Sequence, residues 1–105
     1  MIDALEGAGR ALYGHDWRET LCADAGCSRR FLDRLMSGKN VVPPGFVDTV
    51  LDLLEERAGP ISAAAAHEAT SEVRRGKLLA RVAELDEAFN ALMVHAPPAE
   101  EAISA

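Results

Sequence analysis

The residues in this chain best suited to chemistry on a ligand are cationic and clustered. Arg29, Arg30 and Arg34 stand close together, Arg18 precedes them, and Lys39 and Asn40 follow. A guanidinium is planar and permanently charged, so it can grip a phosphate or the O6/N7 edge of guanine with two parallel hydrogen bonds. Ser28, directly before the arginines, has the form of a helix N-cap, and a helix N-terminus itself favours anions. Asp33 follows Arg29 at the spacing of one helical turn, where it can neutralise that arginine in the free protein. Other chemistry is thinly represented. Cys22 and Cys27 lack the second pair that a zinc site needs and read as small buried apolar residues. His15, His67 and His95 are too scattered to form a local ligand pair and read as surface or boundary histidines. No nucleophile has a base beside it and no phosphate loop occurs, so nothing in the pattern points to an enzyme, a cofactor or a metal.

The elements that must position these side chains are helices. Aromatic residues are few, alternating β-branched runs are absent, and capping signals are frequent. Asp3 and Glu6 have the form of a capping box for a first helix, Ala4 to Leu12, that turns Ile2, Leu5, Ala8 and Leu12 inward and ends at Gly14. Gly7 and Gly9 should each cost this helix about 1 kcal/mol relative to alanine. Asp16 and Glu19 repeat the start signal for Trp17 to Ala25, with Gly26 placed for a left-handed C-cap and Trp17 in the core. Ser28 then opens Arg29 to Met36, which stops at Ser37-Gly38. So short a connection forces the two helices to cross steeply. Leu21, Ala25, Cys27, Leu32 and Leu35 supply the inside of that crossing and Cys22 its small residue, which leaves Ser28, Arg29, Arg30, Asp33, Arg34 and Ser37 outside.

Pro43-Pro44-Gly45 leads into a fourth helix, Phe46 to Arg57, with Val47, Val50, Leu51 and Leu54 on one face and Gly59-Pro60 as its end. That end bounds an N-terminal unit, 1–59. In the helical extension 60–96, Leu78, Val82, Leu85, Phe89 and Leu92 form an a/d seam too short to be stable alone. It must pack on its own N-terminal unit or on a second copy, and it is the expected dimer interface. Ile61, Ala65, Ala69 and Val73 do not share its register, so a bend is expected near Gly76. Residues 97–105 read as a frayed tail.

The segment Arg18 to Ser37 resembles the helix-turn-helix of the phage Cro and repressor type, the XRE-like family, and the resemblance extends over roughly Leu5 to Arg57. The family places a small residue at the fifth motif position, glycine at the ninth, and apolar residues at the fourth, eighth, tenth, fifteenth and eighteenth. Here these are Cys22, Gly26, and Leu21, Ala25, Cys27, Leu32 and Leu35. Trp17 before the first motif helix and the prolyl-prolyl-glycine entry to the next are similar to a bacterial and phage subgroup. Cys22 departs from the usual alanine, Cys27 from the usual valine or isoleucine, and Phe31 stands where a small polar residue often lies. The resemblance implies an all-α fold: a four-to-five-helix Cro/repressor-like domain followed by a C-terminal helical dimerisation extension. It implies that the second motif helix enters the major groove of double-stranded DNA. Ser28, Arg29, Arg30, Asp33 and Arg34 then match base-reading places, and Arg18, Ser37, Lys39 and Asn40 match backbone contacts.

Charge sharpens this expectation. The chain carries 11 basic and 17 acidic side chains, a net −6, with a pI near 4.9. That excludes a polycation coating nucleic acid or an anionic membrane. Between residues 18 and 40, however, Arg18, Arg29, Arg30, Arg34 and Lys39 outnumber Glu19, Asp24 and Asp33. The acidity sits in the fourth helix, at Asp48, Asp52, Glu55 and Glu56, and in the C-terminal part. A reader built this way depends on base contacts and two-fold binding. No apolar run approaches a membrane span and Met1-Ile2-Asp3 begins no signal peptide, so a cytoplasmic protein of bacterial or phage origin, without membrane contact, is expected. The leading expectation is a transcriptional regulator, a repressor, that binds an inverted-repeat operator as a homodimer. The alternative is a protein-binding module on the same scaffold, such as an antitoxin or a phage inhibitor protein, with a second protein as partner.

Overall fold

Gly14, Gly26 and Gly38 take positive φ and divide the first part of the chain into short helices. The computed structural model describes residues 1–96, so the expected tail 97–105 lies outside the described residues. The helices are α1 (Ile2–Tyr13), α2 (Trp17–Ala25), α3 (Arg29–Met36), α4 (Pro44–Ala66) and α5 (Glu72–Met93), and the described residues contain no strand. The all-α class read from the sequence is the class observed.

Two expected capping boxes do not form. α1 begins at Ile2 with Met1 as its N-cap and no side-chain cap bond, and Glu6 pairs with Arg10 one turn on, at 3.2 Å. Asp16 holds φ −94° and ψ 45°, outside the extended conformation from which a capping carboxylate reaches the first-turn amides, and makes no cap bond. Ser28 does adopt that conformation, with φ −84° and ψ 154°, and its Oγ accepts from the Phe31 N–H at 3.1 Å.

α1 carries the surface on which α2 is seated. The ring of Trp17, 2% exposed, lies over Gly9 so closely that a Cβ there would stand 2.1 Å from Trp17 Cε3. Gly9 is therefore the close-approach residue of this crossing, whatever it costs the helix. α2 ends at Gly26 with φ 72° and ψ 32°, and the N–H groups of Gly26 and Cys27 both donate to the Cys22 carbonyl. This left-handed close satisfies the end of α2 and turns the chain directly into α3. Leu21, Leu32 and Leu35 are fully buried beneath the crossing, Cys22 is buried, and Ala25 and Cys27 are half-buried.

The second half departs from expectation in three places. First, α4 does not stop at Gly59-Pro60 but continues to Ala66 with Pro60 inside it. An interior proline costs a helix roughly 3 kcal/mol, and packing beyond it outweighs that cost. Ile61 is half-buried, Ala65 is 3% exposed, and Arg75 of α5 donates from Nε to the Ala65 carbonyl at 2.8 Å and from Nη2 to the His67 carbonyl at 3.2 Å. The expected division at residue 59 thus falls within a continuous helix. Second, the bend expected near Gly76 lies earlier, at His67–Ser71, where Ser71 Oγ accepts from the Arg74 N–H at 3.2 Å and starts α5. α5 then runs through Gly76 unbroken.

Third, the seam folds back within the chain. Leu85 and Leu92, expected at a dimer interface, are 1% and 0% exposed in the core shared with α1 and α4. They are corrected to core residues, because one chain already covers them. Leu78, Val82 and Phe89 are half-buried. Arg81 adds a polar tie, with Nη2 donating to the Leu12 carbonyl at the end of α1 at 3.4 Å. One hydrophobic core therefore runs from Leu5 to Leu92.

Candidate functional site

The outer face of α3 gathers three arginines, an aspartate and two serines on one exposed polar surface. Burying Leu32 and Leu35 fixes the rotation of α3, and with that rotation set Ser28, Arg29, Arg30, Asp33, Arg34 and Ser37 all stand exposed. The loop after α3 adds Lys39 and Asn40, both exposed. Phe31, half-buried, packs edge-on against Phe46 at 5.6 Å between ring centroids and anchors α3 to the start of α4. That contact explains the large residue at this position.

Within this face the cations sort into two groups. Asp33 Oδ1 accepts from Arg29 Nε at 3.0 Å, as the helical spacing anticipates, and also from Arg18 Nη1 of α2 at 2.9 Å. The hydrogen bond from Arg29, followed by that from Arg18, holds the Asp33 carboxyl below the ordinary carboxylate range, and Asp33 in turn raises the Arg29 guanidinium. Arg29 also lies 3.6 Å from Glu19. Arg18 rests over the Trp17 ring with Cζ 5.5 Å from its centroid, so the buried tryptophan steers this arginine.

Arg30, Arg34 and Lys39 form the second group. Among the described residues none of them has a carboxylate within ion-pair distance. With Asp33 and Ser37 they line a shallow depression of about 530 Å³. Arg30 and Arg34 are one helical turn apart, and the Ser37 hydroxyl donates to the Arg34 carbonyl at 2.9 Å. The structure therefore brings Arg30, Asp33, Arg34, Ser37 and Lys39 to one surface and draws Arg18 and Arg29 onto Asp33. Ser28 serves as the cap of α3, and Asn40 lies exposed in the following loop. The Arg18–Asp33 contact was not legible in the sequence, because the turn at Gly26 shows that the two helices cross but not which of their outward side chains meet.

Of the remaining reactive groups, His15 lines a polar depression with Arg18, Glu19 and Arg29. Burial, followed by the hydrogen bond and charge of Cys22, pushes the Cys27 thiol up to about 11, so Cys27 is protonated and unreactive near neutrality, and Cys22 is a buried free cysteine. Tyr13 donates to Asp24 Oδ2 at 2.6 Å, and burial, then that carboxylate, raises its phenol well above the usual range. His15, His67 and His95 are exposed, and among the described residues no three His, Cys, Asp or Glu side chains converge as a metal site. No described helix is long and apolar enough to cross a membrane.

A second surface feature is an apolar groove of about 350 Å³ between α4 and α5. Leu54, Ala58, Val82, Leu85 and Phe89 line it together with the acidic Glu55 and Asp86. Leu79 and Met93, 53% and 46% exposed, fall on the same side of α5 by helical spacing. Comparison of the chain with protein-family models, curated proteins and solved structures finds no match.

Proposed function

We propose that this chain is a sequence-specific DNA-binding transcriptional regulator, a repressor of the helix-turn-helix type. In this reading α3 enters the major groove and α2 braces it. The observation that carries the proposal is the exposed pair Arg30 and Arg34, unpaired among the described residues, on a helix whose N-terminus is capped by Ser28 and whose seating is fixed by the Gly26 turn. Guanidiniums one turn apart suit guanine edges on successive base pairs, whereas Lys39 beyond the helix suits a phosphate. The unpaired cations favour DNA locally, and the net −6 of the chain opposes indiscriminate binding.

An inverted-repeat operator calls for a homodimer. Since Leu85 and Leu92 are internal, the second copy would meet the accessible part of α5, with Val82 and Phe89 at its centre and Leu79 and Met93 beside them. The same groove favours the second reading, a protein-binding module: a mainly apolar lining with two carboxylates suits an amphipathic helix from another protein. Light scattering on the purified chain separates the two, since a stable monomer would remove the homodimer. For the leading reading, the test is selection from a randomised duplex pool followed by anisotropy titration. The enriched duplex should bind at least about 1000-fold more tightly than a scrambled one at moderate salt. Equal affinities would refute sequence-specific binding.

A further inference from the structure

We infer that Asp33 reads a cytosine amine, held in place for it by Arg18 and Arg29, so that each half-site carries a C·G pair opposite this carboxylate. The inference rests on the reading of the α3 outer face as a major-groove surface. Asp33 Oδ1 receives Arg18 Nη1 from α2 at 2.9 Å and Arg29 Nε from α3 at 3.0 Å. Two donors from different helices, converging on one oxygen, fix the rotation of the carboxylate. Among the described residues Oδ2 accepts no hydrogen bond, and Asp33 shares its depression with Arg30, Arg34 and Lys39. The result is one acceptor, of fixed direction, set among cations.

A lone carboxylate facing a duplex would be repelled by its phosphates. Arg18 and Arg29 balance the charges of Asp33 and Glu19, and Arg30, Arg34 and Lys39 beside them keep this surface net positive, so the Asp33 acceptor can approach a base edge without that penalty. In the major groove only the N4 amine of cytosine and the N6 amine of adenine donate. Adenine places its N7 acceptor beside the amine, against the carboxylate, whereas cytosine offers no acceptor on its outer edge. Guanine and thymine present acceptors and are repelled. The acid therefore selects cytosine. Arg18 and Arg29 become positioning residues whose guanidiniums are engaged by Asp33, and Arg30 and Arg34 remain as the guanine-reading pair.

The test compares duplexes selected from a randomised pool by the full chain and by its Asp33→Ala and Asp33→Asn variants. Asp33 is exposed, so both variants should fold, and their melting curves verify it. The unaltered chain should enrich cytosine at one position of each half-site. Asp33→Ala should lower that preference about five- to tenfold while leaving other positions as they were. Asp33→Asn should turn it toward adenine, whose N6 and N7 an amide can match. A cytosine preference that survives in Asp33→Ala overturns the inference and leaves DNA binding standing. So does a motif with no cytosine preference, or a loss spread evenly over all positions, which would make Asp33 only a clasp for the arginines. Absence of any enriched motif overturns this inference and the proposed function together.

Discussion

Replacing Gly9 with alanine tests how α2, and with it Arg18, is held on the rest of the molecule. Carbon atoms in contact lie about 3.5–4.0 Å apart. An added Cβ at Gly9 would stand 2.1, 2.5 and 2.8 Å from three atoms of the Trp17 ring. Relieving the closest contact requires ring and helix to separate by about 1.5 Å. Trp17 is 2% exposed and begins α2, so the ring can move only by displacing α2 or by turning out toward the polar depression it borders with Glu6 and Arg10. Overpacking of a tight core costs about 1–3 kcal/mol, and an overlap with a rigid buried ring falls at the upper end. Removing a helical glycine returns about 1 kcal/mol. The net expectation for Gly9→Ala is a loss of about 2 kcal/mol, or a melting temperature lower by about 8–16 °C in a domain of this size. Gly7 in the same helix is exposed and has nothing near its missing Cβ, so Gly7→Ala should gain about 1 kcal/mol and melt about 4–8 °C higher. Thermal unfolding followed by circular dichroism measures both, and fluorescence of the single tryptophan reports on the ring. Shifts of the same sign in the two variants would refute the seating of Trp17 on Gly9.

Other perturbations probe the remaining contacts. Leu92→Ala opens a cavity at a side chain 0% exposed and should cost about 2–5 kcal/mol, with an effect on melting that does not depend on protein concentration. A concentration-dependent effect would place Leu92 between subunits instead. Ser28→Ala removes the bond to the Phe31 N–H and should cost about 1 kcal/mol in urea titrations, with Ser28→Asp retaining most of it. For Tyr13 the folded state holds its proton to higher pH than the unfolded state does. Its contribution is therefore complete below about pH 10 and falls as pH rises further. Urea midpoints on either side of about pH 10 should fall more for the unaltered chain than for Tyr13→Phe.

What could be read from the sequence was local. Gly26 and Ser28 act through the backbone of adjacent residues, so the α2–α3 turn and its cap followed from residue type alone. The burial of Leu32 and Leu35, and hence the exposed set on α3, followed from their places on the inner side of the helix crossing, and that of Trp17 from its residue type. Tertiary contacts supplied the rest. Gly59-Pro60 carries a strong stop signal, yet Ala65 packing and the Arg75 cap hold α4 together beyond it. The spacing of Leu85 and Leu92 showed that one face of α5 must be covered, but a period does not say by what, and the cover is α1 and α4 of the same chain. Gly9 looked like a cost because the ring it accommodates comes from another helix. The Arg18–Asp33 bond likewise depends on how two helices cross, and it changes which arginines are available to a base.

The proposed contact surface is tested most directly by titrating a selected duplex into the isotope-labelled chain and following backbone amide resonances residue by residue. The account predicts the largest perturbations at Ser28–Arg30, Asp33, Arg34 and Lys39, with the α4–α5 groove around Ala58 and Phe89 unmoved by the duplex itself. Perturbations centred on that groove, with the α3 signals unchanged, would contradict it.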